Sequence, residues 1–495
     1  MQAKLKGSMT VFLSLILVSV MTLLFTMSEC IRLYALHDNA SEFTDMALES
    51  AFSEYNPYLW ANYKILAIDL GYGSDVTGPT IFQQKLIDYC RFNADIEYGN
   101  NFARLNPAGA TINQYSLLTD GGGQAMVMQG VKGAKDDLAA QVIDGIQGHM
   151  DSINGVEKIP VETKVNDGKS ALEDAKRQQS EKRANAQNDG DENTSADDYP
   201  EPEEVEDDPL DAFKLMKEAM SKGVLSTVMD AKKISDVSFD LAAMPSHRQL
   251  MEGTAAIQSG NAITDKALFM DYILANYSRF DLDKHHEGMQ YEVEYLIAGQ
   301  ESDAENLAVV VGEIMLIREA ANFSTIMNSG VLKNQAKSVA AVLTSFDPAL
   351  EPVVELAVIG AWAYIESVLD VRLMLSGGEV AVVKSTDQWT SDVWHLSSFF
   401  NVNAKARPCK DGITYDKYLI GLLAVKGNKT LGLRTCDVME NALNSTEDYR
   451  YVKVDNMLFS ADVTMDYTGQ EMFLSLFSKD DSMGYRISKS KYLTY

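Results

Sequence analysis

The sequence predicts an α+β protein: a long amino-terminal transmembrane helix, then a mainly helical extracellular domain with one or more small β-sheets. Three observations predict it. Residues 7–28 form an uncharged, strongly apolar run. Beyond it, apolar residues recur mostly at the three-to-four spacing of helices, and an S-x-x-E box at Ser302 and Glu305 opens a long helical stretch. Near the end the pattern turns to near-alternation at Tyr451, Val454, Met457 and Phe459, the mark of half-buried strands. Bulk properties agree. In 495 residues, 46% hydrophobic side chains are enough for a core, and four cysteines are too few for a disulfide scaffold or a Cys-rich zinc protein. A formal charge of −28 argues against a nucleic-acid partner, because phosphate binding runs on Lys and Arg. Mean hydropathy of −0.14 excludes a polytopic membrane protein and allows a single span.

Residues 1–6 read as a cytoplasmic amino terminus and 7–28 as the transmembrane helix. At ~1.5 Å per residue the run reaches ~33 Å, against a hydrocarbon core of ~30 Å. Lys4, Lys6 and the terminal amine precede it without an acid, and the chain after it is acidic. The positive-inside rule then places the amino terminus in the cytoplasm and the carboxy-terminal domain outside the cell membrane. Membrane lipid is the partner expected for residues 7–28. A cleaved secretory signal fits less well, since the run exceeds the usual ~7–15 apolar residues and no A-x-A-like site follows. Lys6-Gly7-Ser8 ahead of a long apolar helix is similar to the leader of type IV-like prepilins, which are cut after the Gly. Gly7 and Ser8 are therefore the candidate cleavage pair, although Phe12 stands where such leaders carry Glu.

Residues 29–56 read as a helical stalk continuing the span, because no Gly or Pro interrupts Ser8 to Asn56. Glu29 and Arg32 sit three apart at the outer interface and can pair. Phe43, Met46, Ala47 and Ala51 form an apolar stripe that either packs on the chain's own domain or joins several such helices. Asn56-Pro57 is expected to end the helix. Residues 57–160 read as an α+β segment: a strand over Tyr63–Asp69, a helix over Ile81–Phe92, a strand over Ala110–Leu118, a breaker at Asp120–Gly123, then a helix to about Ile153. Residues 161–208 lose apolar periodicity, and from Gln187 to Asp208 there are eleven acids and no base. This stretch is expected to be an acidic disordered loop.

Residues 209–400 read as a helical core, with helices over Asp211–Lys222 and Asp265–Ser278. Within Gly288–Gly299, YEVEYLIAG is expected to form a strand. The Ser302 helix runs to Gly330 and is followed by a helix over Val331–Ser345. In Val353–Leu375 the uncharged run is only Leu356–Ile365, which suits a buried core helix rather than a second span. Gly377-Gly378 ends it, and Glu379–Lys384 is expected to be a short strand. Residues 401–495 read as a carboxy-terminal α/β segment, with helices over Tyr415–Val425 and Leu431–Asn444 and closing strands.

The inventory of chemistry is thin. His286-Glu287 opens like a zincin motif, but Gln290 fills the second histidine position. His285 and His286 read as solvated. No P-loop or G-x-S-x-G elbow is present, so no catalytic, cofactor-binding or metal-ligating residue is expected and no cofactor is implied. Glu366 and Asp370 lie four apart on the apolar helix and share a face. With Arg318, Glu319 and Arg372 they are expected to form a buried ion network rather than a general acid–base pair. Cys409 and Cys436 are a candidate disulfide, given an exported domain.

The blocks KGSMTVFLSLILV, ALESAFSEYNPYLWANYKILAIDL, YEVEYLIAGQESDAENL, LIREAANF and AWAYIESVLDVRLMLSGG, with Glu29 and Arg32, resemble an uncharacterised family of Gram-positive bacteria, a domain of unknown function. Its members tend to accompany genes of tight-adherence (Tad) pilus systems. The resemblance implies a pilus-associated, membrane-anchored surface protein with a TadE- or pilin-like amino-terminal segment, and it brings no catalytic residue. The expected function is that of a structural or assembly component acting through other pilus or membrane proteins. The alternatives are a membrane-tethered cell-surface hydrolase and a ligand-binding sensor or adhesin. The oligomeric state stays open.

Overall fold

The computed structural model describes residues 4–95, 101–137, 160–188, 199–257, 262–410, 412–473 and 484–495. The chain divides into two compact units: residues 1–129, 248–260 and 443–495 form the first, and 130–247 and 261–442 the second.

The first unit is one long helix laid across an antiparallel sheet. Helix α1 runs unbroken over Lys4–Phe52. It stops four residues ahead of the expected Asn56-Pro57 break. That pair instead starts α2 (Pro57–Tyr63): Asn56 accepts the amide of Leu59, and Pro57 takes the first turn, where its missing N–H costs nothing. The expected strand over Tyr63–Asp69 therefore shrinks to β1 (Ile68–Asp69). Helix α3 (Thr80–Asn93) falls where expected, and strand β2 (Leu105–Leu117) includes most of the expected Ala110–Leu118 but starts earlier, at Leu105. Helix α4 (Asp120–Asp137) opens on Gly121, Gly122 and Gly123, all left-handed, a run that only glycines adopt without strain. The remainder of the helix expected as far as Ile153 lies outside the described residues.

Strands β3 (Met457–Gln470) and β4 (Gly484–Thr494) supply the closing β structure. β3 is central, pairing antiparallel with β1, β2 and β4. Its inner residues Val463, Met465 and Tyr467 pack on Leu36, Ala40 and Phe43 of α1 and on Phe82, Leu86 and Cys90 of α3. The Tyr467 hydroxyl, buried in this layer, lies 2.8 Å from Thr44 Oγ1 and accepts from Cys90 Sγ at 3.3 Å. The stripe of α1 thus packs on the chain's own sheet.

The second unit is a helical assembly. Its helices are α5 (Val161–Asn188), α6 (Pro209–Lys222), α7 (Val224–Val228), α8 (Ala262–Asn276), α9 (Glu292–Ala298), α10 (Asp303–Asn328), α11 (Gly330–Leu343), α12 (Glu351–Leu375), α13 (Tyr415–Ala424) and α14 (Asn428–Ser445). Helix α12 is at its centre: Ala357 to Met374 is buried without interruption, against α5, α6, α10 and α11. It closes on a Schellman turn in which Gly377 donates to Met374 O and Gly378 to Leu373 O, with Gly377 left-handed. Ser302 caps α10 by accepting the amide of Glu305.

Three expectations are corrected here. The disordered acidic loop over 161–208 does not hold for 161–188, which is α5. Residues 189–198 lie outside the described set. From 199 the chain returns along α5, where Gln179 donates to Pro200 O and Arg183 pairs with Glu201. The physical reason is that Ala, Glu, Gln, Lys and Arg favour helix, and three apolar residues, Val161, Val165 and Leu172, are enough to dock one narrow face. The second correction concerns YEVEYLIAG, which is helix α9. Glu292 to Ile297 are all buried, and so short a helix with no wet face leaves no helical periodicity to read in the sequence. The third is Glu379–Lys384, which makes one bridge, Val380 to Ile413, and no strand.

The α5–α12 contact depends on missing side chains. A Cβ on Gly168 would lie 2.3 Å from the Cβ of Ala357, and one on Gly360 would lie 2.6 Å from Val165 Cγ2. In an exposed helix, Gly→Ala stabilises by up to ~1 kcal/mol. Here Gly168→Ala and Gly360→Ala are expected to lower the denaturation midpoint, at a cost of about 1–3 kcal/mol from overpacking. A raised midpoint in either variant, measured by chemical denaturation, contradicts this packing.

Candidate functional site

Helix α1 meets two environments along one axis. The apolar side chains from Met9 to Leu24 are bare, for example Leu13 at 63% and Leu17 at 63% exposure. Only near its end does protein cover this stretch among the described residues, where the Phe473 ring stacks on Phe25, and its length and composition make it a candidate membrane span. Ser14, Thr22 and Thr26 return their hydroxyls to carbonyls one turn back, so these polar groups are satisfied within the helix, as hydrocarbon requires. Gly7 and Ser8, the candidate cleavage pair, lie within the same helix.

Burial begins at Glu29. The Glu29 carboxylate accepts Arg32 Nη1 at 3.0 Å and the amides of Met472 and Phe473 at 3.2 and 2.7 Å. Arg32 also donates to Ala103 O at 2.9 Å. The expected pair therefore forms, and it does more than neutralise itself: it clasps two returning chain segments. Burial raises the carboxyl of Glu29, but the two amides and Arg32 outweigh it and hold the group below its usual range.

The ion network of the second unit is built on α10 and α12. Arg318 donates to Asp370 Oδ2 through Nε and Nη2, at 3.0 and 2.8 Å. Its remaining donors reach Ala381 O, Val382 O, the Tyr418 hydroxyl and Asn322. Lys384 bridges Glu366 and Asp370. Glu366 also accepts the amides of Thr390 and Ser391 and the Ser391 hydroxyl. Ser391 Oγ in turn accepts Trp362 Nε1, and Trp362 meets Trp389 edge-on. Arg318, Glu366, Asp370 and Lys384 balance two charges against two and are shut from solvent. Burial raises the Asp370 carboxyl, but Arg318 and Lys384 outweigh it and hold the group below its usual range. The groups close on one another, and no pocket among the best-formed ones opens onto them.

Two expected members fall elsewhere. Arg372 is two residues from Asp370, about 200° round the helix. It points the other way and donates to the carbonyls of Thr227, Phe399, Phe400, Asn401 and Ala404. Glu319, one step from Arg318, faces Lys217, Glu162 and Tyr364. Burial pushes its carboxyl up to about 7, against the pull of Lys217 and with help from Glu162. Lys384 was missed. Charge balance was the available signal: Glu366 and Asp370 against Arg318 leave one cation wanting.

Other buried carboxylates tie down loops. Glu292 and Glu294 of α9 accept the amides of Ser278 and Phe280, at 2.6 and 3.0 Å. His286, read as solvated, lies 2.9 Å from Glu292 Oε2. Among the described residues no disulfide is present. Cys436 is buried beside Tyr272 and Tyr277, while Cys409 packs over Gly412, so the expected Cys409–Cys436 bridge does not form. No group of three or more His, Cys, Asp or Glu suited to a metal occurs among the described residues.

The architecture defines an α+β protein with a candidate amino-terminal membrane anchor and a helical core closed by buried ions. Residues 200–469 match the model of a Family of unknown function (DUF5702), and the chain belongs to this family. The match starts beyond α5 and ends inside β3, so it includes the ion cluster and leaves out α1. Comparisons with curated proteins and with solved structures return no match.

Lys384→Met leaves two buried carboxylates facing one Arg and is expected to destabilise by about 3–5 kcal/mol. Adding Glu366→Gln restores neutrality and should recover part of the loss in the same denaturation assay; an additive loss would show that the charges are not coupled. Glu319 gives a pH signature of opposite sign to Asp370. A raised folded carboxyl keeps a proton that the unfolded chain has released, so stability falls as pH climbs from about 4.5 through 7. Glu319→Gln should therefore stabilise by up to about 3 kcal/mol above pH 7, with the gain vanishing in acid. A pH-independent effect contradicts the assignment.

Proposed function

We propose that this chain is a single-pass membrane-anchored surface protein. Its amino terminus lies in the cytoplasm, its domain lies outside the cell, and it serves as a structural or assembly component of a Tad-type pilus. The observation that carries the reading is α1, a single helix that is bare and uncharged from Met9 to Leu24 and laid across an antiparallel sheet in its second half. A pilin-like subunit needs this layout, because one rod must satisfy lipid below and a folded domain above. The prepilin-like Lys6-Gly7-Ser8 opening and the resemblance of the sequence blocks to a family that accompanies tight-adherence gene clusters support the same reading. The self-closed ion cluster supports a role through protein contacts rather than catalysis.

Protease added to intact cells should remove the outer domain, and alkaline washing should leave the chain in the membrane. A protected domain or an extractable chain overturns the topology. Cysteine crosslinking from the exposed face of α1, at Tyr34→Cys and Glu42→Cys, is expected to capture pilus components in native membranes. Crosslinks confined to unrelated proteins, or none at all, remove the pilus assignment. Mass spectrometry of the mature amino terminus reports whether the chain is cut between Gly7 and Ser8.

A further inference from the structure

The clasp at Glu29 and Arg32 selects one end of the sheet. β2 begins at Leu105 opposite Gly469, and β3 ends at Gln470 opposite Gly484, so both neighbours of β3 meet at this end. Leu36 of α1 lies directly beneath Gly469. Arg32 holds Ala103, and Glu29 holds Met472 and Phe473. The two segments that emerge here are thus fixed to the first turn of α1 beyond its apolar run.

What they carry is apolar. Phe102 is 77% exposed and Met472 is 49% exposed. The Phe473 ring stacks on Phe25 at 6.4 Å, nearly parallel. Phe25 belongs to the apolar run, one turn before Glu29, so Phe473 is held at the depth of the run's last turn. Exposed Arg104 and Arg486 occupy the same end of the sheet. The first two charges after the run, Glu29 and Arg32, are paired and buried, so this end presents aromatic and aliphatic side chains flanked by arginines, with partly buried Glu471 beside Tyr485 as its remaining acid among the described residues of these segments. Aromatic rings and arginines together suit the boundary between acyl chains and phosphate headgroups.

We propose that this end of the sheet is a second membrane contact: Phe102, Met472 and Phe473 enter the outer interface of the bilayer, and Arg104 and Arg486 meet lipid phosphates. The inference rests on the membrane-spanning reading of residues 7–28. The occupant is the bilayer itself, because the patch is continuous with the span through the Phe25–Phe473 stack. Seating the sheet on lipid fixes its tilt, which a bare helical stalk would leave free.

The test uses the full chain in phosphatidylcholine–phosphatidylglycerol vesicles. The background carries Cys30→Ser and Cys409→Ser, the remaining two cysteines being buried. An environment-sensitive fluorophore is placed at Phe102→Cys, Met472→Cys, Leu17→Cys or Tyr492→Cys. Tyr492 is exposed at the far end of β4. The expected result is loss of emission at 102 and 472 with nitroxide lipids labelled near the headgroup, loss at 17 with lipids labelled deep in the chain, and full emission at 492. If the label at 17 is quenched while those at 102 and 472 are not, the span stands and the second contact is overturned. If the label at 17 also keeps its emission, the spanning reading fails and the contact fails with it. Shielding at 102 and 472 from a water-soluble quencher, without any effect of nitroxide lipid, assigns the patch to a protein partner and overturns the proposal.

Discussion

Helix α12 has no wet face, yet it carries Glu366 and Asp370. Two carboxylates taken out of water without partners would cost far more than a domain's net stability. The second unit is arranged around that constraint. Arg318 is delivered from α10, Lys384 from the segment after the Schellman turn, and the amides of Thr390 and Ser391 fill the remaining acceptor sites. Because these partners come from separate stretches of chain, satisfying the charges also folds residues 379–391 back over the core. Such a cluster contributes less to net stability than to uniqueness, since few other packings would satisfy every member.

The same device recurs on a smaller scale. Glu292 and Glu294 hold the loop at Ser278–Phe280, Asp303 accepts the amides of Gln290 and Tyr291, and Asp437 accepts Ser246. In the first unit Asp120 accepts Leu117 and Gly253, and Asp455 accepts Met251 and Arg248. Part of the chain's large acidic excess is therefore internal. These carboxylates take the place of secondary structure where the backbone is irregular, giving loop amides a charged acceptor out of reach of water.

Helix α1 shows the other way a segment meets its surroundings. Beyond Lys6 its first half is uncharged, with Ser14, Thr22 and Thr26 bonding their hydroxyls to their own backbone, so it suits a solvent with nothing to offer a polar group. Its second half keeps an apolar stripe on one side and charges on the other, and the stripe is covered by the sheet and α3. The change falls at Glu29 and Arg32, where the first charged side chains after the apolar run are at once paired and buried.

The sequence by itself determined what depends on near neighbours. The apolar run, the unbroken α1, most of the long helices with the Ser302 cap and the Gly377-Gly378 stop, the Glu29–Arg32 pair and the shared face of Glu366 and Asp370 all follow from spacing within a few residues. Only tertiary structure decided the rest. α5 looked too polar to fold, because close packing through Gly168 and Gly360 is invisible until the partner helix is known. α9 looked like a strand, because the burial of its two acids depends on loop amides that precede it. Lys384, rather than Arg372 or Glu319, completed the ion cluster, because a long side chain's partner is set by which face of which helix it meets, and that is fixed only when the core closes.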